Sequence, residues 1–173
     1  FKLVNLLTIF ILVFTFILVL NQPNEVAKVF NESYVIDELA IFMKLLTLLF
    51  CAFVLLSSRD FVKNNNIDKI EYPIIVLASV LGMLIMISSY DLIVFYLGLE
   101  LQSLCLYILA SFNTKDLRST EAGLKYFVLS ALASGLLLYG CSLIYGFSGS
   151  TNFETISINL TESNVGAIFG IVF

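Results

Sequence analysis

Five runs of apolar residues, each close to the length of a membrane-crossing helix, constrain the fold of this chain more than any other feature. These runs cover residues 3–20, 39–58, 72–88, 92–112 and 122–147, and a shorter run covers 165–173. Roughly 20 helical residues cross the hydrocarbon layer, and inside it only helices and closed barrels satisfy their backbone hydrogen bonds. The sequence therefore predicts an all-α fold: a polytopic transmembrane helix bundle of about five full spans and a partial sixth, forming a single membrane domain over residues 1–173.

The composition supports a membrane protein and excludes several functions. Hydrophobic residues make up 60% of the chain and charged residues 13%, which is too little polar surface for a water-soluble domain. A net charge of -4, with nine Lys and Arg scattered along the chain, argues against nucleic acid as a partner. There is no histidine, and the cysteines lie in apolar runs without paired spacing: Cys51, Cys105 and Cys141. We therefore expect no metal site, no disulfide and no redox centre in this chain.

The first apolar run permits two interpretations. A secretory signal peptide would be followed by a cleavage site of small residues, whereas residues 21–32, NQPNEVAKVFNE, contain the Pro and Asn typical of turns. The sequence therefore favours a helix that is retained in the protein.

Basic residues in the polar links predict the orientation. If the five runs cross the membrane in turn, alternate links share a side, and one side holds six Lys or Arg while the other holds one. The six are Lys2, Arg59, Lys63, Lys69, Lys115 and Arg118, and the one is Lys28. By the positive-inside rule, the N-terminus and the six basic residues face the negatively charged compartment.

Lys44 is the first of three ionisable residues inside the apolar runs, where an unpaired charge costs roughly 2.5–3.5 kcal/mol on insertion scales. It lies about five residues into the second run, or roughly 8 Å at 1.5 Å per residue. A lysine at that depth can extend its ammonium to the membrane surface, and this interpretation is favoured over a functional one.

Glu100 lies near the middle of the fourth run. At helical spacing Tyr96, Glu100, Ser103 and Tyr107 fall along one stripe, which is typical of a helix facing a bundle interior or a hydrated path. Intramembrane carboxyl groups usually serve ion or proton transfer, so a charge or proton relay is the favoured hypothesis. The alternative is a protonated carboxylic acid that simply bonds a neighbouring helix.

Lys125 lies about four residues inside the fifth run. Glu121 precedes it by four positions, so an ordinary interfacial ion pair competes with a relay role, and position alone leaves both open.

Small residues follow Lys125 in the same run at four-residue spacing. They are Ser130, Ala131, Ser134 and Gly135. Such spacing allows a second helix to approach closely and carries no chemistry of its own.

Two stretches carry a resemblance to a known family. YLGLELQSL, residues 96–104, and EAGLKYFVLSALASGLLLYGCSLIYGFSG, residues 121–149, resemble chain 2 of proton-pumping NADH:ubiquinone oxidoreductase, respiratory complex I. This membrane-arm family is related to cation/proton antiporters and has an inverted-repeat fold. The resemblance matches the family's helix-five glutamate to Glu100 and its helix-six lysine to Lys125, which favours a proton-relay role for both.

The resemblance also implies partners and cofactors. The complex uses NADH, FMN, iron–sulfur clusters and ubiquinone, and this chain is expected to bind none of them itself. Its expected partners are other complex I membrane-arm subunits and membrane lipids. A stand-alone cation/proton antiporter subunit and a non-pumping structural subunit remain as alternatives.

Two differences from the family lead to further expectations. The first helix here corresponds to the family's second, and residues 165–173 match only the beginning of its seventh. We therefore expect a split subunit, with a second chain completing it after Phe173. Richness in Phe, Ile, Asn and Tyr favours a mitochondrial gene over a bacterial one, and hence the mitochondrial inner membrane with the N-terminus on the matrix side.

Overall fold

The computed structural model describes residues 1–23, 26–65, 67–159 and 165–173 as helices joined by short links. Within these residues, four helices are long and apolar enough to cross a membrane, at 2–20, 38–57, 92–110 and 117–148. A fifth apolar helix, Glu71–Ile87, is shorter, at 17 residues. The elements in order are α1 (Lys2–Leu20), β1 (Ala27–Val29), β2 (Tyr34–Ile36), α2 (Glu38–Ser57), α3 (Arg59–Asn64), α4 (Glu71–Ile87), α5 (Leu92–Ala110), α6 (Leu117–Ser148), α7 (Phe153–Asn159) and α8 (Val165–Val172).

The predicted helical class is confirmed, with two additions. All five long apolar runs are helices, although α4 is too short to count among the four candidate spans. The links contain structure that the apolar pattern did not indicate: a two-stranded antiparallel hairpin of β1 and β2, and the short helices α3 and α7. These elements are three to seven residues long, too short for the apolar pattern to indicate them.

Aspartates begin three of the membrane helices. Asp37 accepts a hydrogen bond from the amide of Ala40 at 2.7 Å, and Asp91 accepts one from Ile93 at 2.8 Å. Asp116 accepts a hydrogen bond from the amide of Arg118 at 3.0 Å. With this cap, α6 begins at Leu117, five residues before the predicted start at residue 122. Each carboxylate satisfies an amide that the first helical turn leaves free and interacts favourably with the helix dipole.

The helices pack as a row in which most neighbours in space follow one another in sequence. α1 packs on α2, α2 on α4, α4 on α5, α5 on α6 and α6 on α8. A buried apolar cluster joins the first three of these helices: Leu12, Leu48, Leu55 and Val80. This core fixes α1, α2 and α4 as one unit, against which α5 is placed.

Two glycines set the distance between α4 and α5. A Cβ added at Gly82 would lie 2.7 Å from both the Gln102 nitrogen and the Gly98 oxygen, and one added at Gly98 would lie 3.0 Å from the Gly82 oxygen. The backbones therefore touch at this crossing. Among the described residues, the predicted small-residue contact on α6 is not made at Gly135, where an added Cβ would meet none of their atoms within 4 Å.

One end of the bundle is covered by a hairpin layer, which we define as β1, β2 and residues 88–91 and 149–154. The amide of Val35 donates to the carbonyl of Ser88 at 2.8 Å, and that of Leu92 donates to Thr151 at 2.9 Å. Lys28 forms an ion pair with Glu154, and this hydrogen bond raises the pKa of Lys28 above its usual value. Three links predicted to lie on one side of the membrane thus meet at one end.

The opposite end, here called the basic end, holds the six Lys and Arg of the other links. The Lys69 ammonium lies 5.5 Å from the centre of the Phe112 ring, which joins the link after α2 to the link after α5. The start of α1 shares a cavity with α3. The structure therefore separates the basic links from the hairpin layer as predicted, and the orientation of the two ends in the cell stays a prediction.

Gly82→Ala tests the close crossing of α4 and α5. Because the added methyl meets backbone atoms, we expect it to destabilise the protein by about 1–3 kcal/mol, as overpacking does. The matched control is Gly135→Ala, whose methyl meets none of the described residues and which should be neutral or slightly stabilising. Thermal unfolding of the full-length protein in detergent measures both, and equal midpoints would contradict the crossing.

Candidate functional site

Glu100 is the central residue of the candidate site. It lies on α5 eight residues after Leu92, about 12 Å along the helix at 1.5 Å per residue. Its side chain is half-buried between α5 and α6, which pack on each other. The carboxyl group is therefore held at membrane depth, where its partners must come from protein or trapped water.

Two hydroxyl groups bind this carboxyl group. Ser134 on α6, which is buried, donates a hydrogen bond to Oε1 of Glu100. The Tyr96 hydroxyl lies 2.9 Å from Oγ of Ser134 and 3.4 Å from Oε1 of Glu100. Each hydroxyl has one proton, so the two hydroxyls can make two of these three contacts as hydrogen bonds at one time.

The second carboxyl oxygen remains available. Both hydrogen bonds go to Oε1, and within the described residues no group donates to Oε2. In the same part of the chain, no Lys or Arg lies within 4 Å of Glu100. Among the described residues, the carboxyl is therefore held by hydroxyls at Oε1 alone.

The predicted hydroxyl stripe is confirmed only in its first part. Tyr96 contacts Glu100, whereas no hydrogen bond within the described ranges joins Ser103 to it. Tyr107 packs its ring 4.7 Å from that of Tyr126 on α6, so it serves helix packing. Ser134 is the contact that the stripe did not identify, although the small-residue spacing had marked it as a packing position.

Lys125 does not reach Glu100. Its ammonium lies 2.5 Å from Oε1 of Glu121, and the two side chains are 70% and 58% exposed. Lys125 precedes Ser134 by nine residues, which places it roughly 14 Å nearer the basic end along α6. The structure thus shows the interfacial ion pair, one of the two alternatives, and the relay role of Lys125 stays a prediction.

Lys44 differs from its prediction. It is 4% exposed, so its ammonium does not extend to an open surface. The ammonium instead donates to the Tyr34 hydroxyl at 3.0 Å and lies 4.9 Å from the centre of the same ring. Tyr34 belongs to β2, so Lys44 ties the hairpin layer to the second turn of α2.

No grouping suited to a metal occurs in the part of the chain that the structure describes. Within residues 1–23, 26–65, 67–159 and 165–173, no three His, Cys, Asp or Glu side chains come close enough to hold a metal ion.

Two family models match nearly the whole chain. Residues 1–87 match the model described as NADH-ubiquinone oxidoreductase chain 4, amino terminus. Residues 89–173, which contain Glu100 and Lys125, match the model described as NADH:quinone oxidoreductase/Mrp antiporter, TM.

Similar proteins carry the name NADH-quinone oxidoreductase subunit N. The protein from Pelagibacter ubique is 60% identical over 163 residues, covering 94% of this chain and 35% of that protein. The protein from Maricaulis maris is 47% identical over 173 residues, covering 99% of this chain and 36% of that protein. The chain therefore spans about a third of the length of these curated relatives.

Solved structures match the same fold. Respiratory complex I from Thermus thermophilus with bound aureothin contains a chain with a TM-score of 0.76 and 26% identity, covering 99% of this chain and 38% of that one. An archaeal membrane-bound sulfane sulfur reductase matches with a TM-score of 0.73 at 22% identity, covering 96% of this chain and 35% of that one. At that identity the match shows the fold alone.

A double-mutant cycle tests the Lys44–Tyr34 contact. Tyr34→Phe leaves the buried ammonium without its oxygen partner, so we expect a loss of about 1–3 kcal/mol. Lys44→Met keeps the volume and removes the charge, and the double variant should be more stable than Tyr34→Phe alone. Hydrogen exchange of the β1 and β2 amides in the full-length protein measures the effect, and additive losses would show that the two side chains do not interact.

Proposed function

The chain belongs to the family of antiporter-like membrane-arm subunits of NADH:quinone oxidoreductase, the subunit N or chain 2 family, and we propose that it contributes part of a proton-translocation half-channel. The observation that carries the proposal is the Glu100 carboxyl, held at membrane depth by Ser134 and Tyr96, with no described residue bonded to its second oxygen. NADH oxidation and quinone reduction take place elsewhere in the complex. FMN and iron–sulfur clusters are bound by other subunits.

Glu100 accepts and releases the proton in this proposal. A cation brought close to its free oxygen favours the ionised carboxylate, and withdrawal of the cation favours the protonated acid. Tyr96 lies one turn from Glu100 toward the hairpin layer, so the hydroxyl chain extends from the carboxyl toward that end. A lysine outside the described residues is the expected source of the cation.

Lys125 connects Glu100 to the basic end. Its ion pair with Glu121 is exposed, and exposed pairs contribute only about 0–1 kcal/mol, so the pair breaks at little cost. Once its ion pair with Glu121 is broken, Lys125 can exchange a proton with water at the basic end. The change in its charge then changes the electrostatic field along α6. The order Lys125, Glu100, Ser134 and Tyr96 then runs from the basic end toward the hairpin layer.

We propose a multi-pass location in an energy-conserving membrane, with the basic end on the negatively charged side. The relatives named above are bacterial, which favours a plasma membrane. The mitochondrial inner membrane and the companion chain are not supported by these relatives and stay predictions. Other membrane-arm subunits are the proposed partners.

Glu100→Gln tests the proton role. An amide keeps the shape and can bond Ser134, but it cannot release a proton, so NADH-driven proton uptake carried by this chain should be lost. Ser134→Ala removes a hydrogen bond worth about 1.5–3 kcal/mol to a charged group and should slow uptake about tenfold or more. Both are measured as protons taken up per NADH oxidised in vesicles from cells with the full-length gene.

Glu38→Gln is the matched control, since Glu38 is an exposed carboxylate in the first turn of α2. It should leave the proton ratio unchanged. NADH oxidation with an artificial acceptor confirms that each variant assembles. An unchanged ratio in Glu100→Gln would favour the non-pumping structural alternative, and Glu100-dependent sodium/proton exchange without NADH would favour the antiporter alternative.

A further inference from the structure

We propose that an anionic phospholipid with hydrogen-bond-donating groups in its head group, of the phosphatidylglycerol type, binds between α1, α2 and α3 at the basic end. This inference is independent of the proposed proton transfer. It rests on a cavity of about 450 Å³ that is lined by the start of α1, by α3 and by Asp68. The cavity lies where the apolar helices meet the polar links, the depth of a lipid head group.

The charges around this cavity suit a phosphodiester. Three basic side chains line it, Lys2, Arg59 and Lys63, together with two acidic ones, Asp60 and Asp68. Counting side chains only, the lining carries one net positive charge. None of the three basic residues is in a salt bridge with another described residue, so all three are available to a phosphate.

Asn5 adds an unpaired polar group to the same cavity. It is 4% exposed, and its Oδ1 is buried without a hydrogen-bond partner among the described residues. A buried acceptor without a partner costs about 1–3 kcal/mol, so such groups are normally satisfied. A hydroxyl of a glycerol head group can donate to Oδ1, whereas the quaternary ammonium of choline has no proton to donate.

A separate apolar groove lies farther along α1 and α2, six residues beyond the cavity on α1. It has a volume of about 310 Å³ and lies between α1 and α2, with Leu12 and Phe16 on one wall and Phe53 and Leu56 on the other. On α2 the groove ends at Leu56, and the cavity begins three residues later at Arg59. Phosphate-binding charges followed by an apolar groove match the shape of a phospholipid head group and acyl chain.

Native mass spectrometry of the complete purified complex tests the proposal, with phosphatidylglycerol, phosphatidylethanolamine and phosphatidylcholine of identical acyl chains. The wild-type complex should retain phosphatidylglycerol most tightly, phosphatidylethanolamine less tightly and phosphatidylcholine least. The double variant Arg59→Gln/Lys63→Gln should retain phosphatidylglycerol about 30-fold more weakly, about 2 kcal/mol at 1.4 kcal/mol per tenfold. The control Lys115→Gln/Arg118→Gln removes the same charge at the same end, outside the cavity, and should match wild type.

Further arms separate the head group from other occupants. Inorganic phosphate should not displace the lipid, because it lacks the acyl chain that fills the groove. Equal retention of phosphatidylcholine, tighter retention of phosphatidylethanolamine, or equal losses in the two double variants would overturn the proposal. Electron microscopy of the same complex gives an independent readout, and a polypeptide segment filling the cavity would also overturn it.

Discussion

Every backbone amide and carbonyl within a bilayer needs a hydrogen-bond partner from the protein itself, and the rest of this structure depends on that requirement. Helices meet it along their length but leave free amides at their starts. Asp37, Asp91 and Asp116 each bond one such amide. The hairpin layer supplies further backbone hydrogen bonds at one end of the bundle. The short links therefore provide partners for backbone groups at the helix ends.

The same requirement applies to the three charged side chains inside the apolar runs, and each of them meets it differently. Lys44 is buried and uses an aromatic hydroxyl and ring; Glu100 is half-buried and uses two hydroxyls; Lys125 is exposed and uses a carboxylate. From Lys44 to Glu100 to Lys125 the side chain becomes more exposed, and the partner changes from neutral hydroxyl groups to a charged carboxylate. Of the three, Lys125 is the most exposed, and it is the one that forms a full ion pair.

The sequence predicted the helices well and their contacts poorly, for a physical reason. Apolar runs specify where helices form because transfer into hydrocarbon depends on composition within a window. The contacts depend on chain reversals: Tyr34 reaches Lys44 only through the turn before α2, and Ser134 meets Glu100 from 34 residues away. Without the packing of α5 on α6, Ser134 is indistinguishable from Ser130 as a small packing residue.

The partners of Glu100 suit a group that changes its protonation state. A hydroxyl both donates and accepts, so Ser134 donates to a carboxylate and accepts from a carboxylic acid at the same position. A fixed lysine ammonium can only donate, and it would hold the carboxyl in its ionised form. In the proposed proton transfer, Ser134 thus keeps Glu100 bonded in both states, while a charge that approaches and withdraws would decide between them. Lys125 and Glu121 lack this property, because their attraction disappears when either of them becomes neutral.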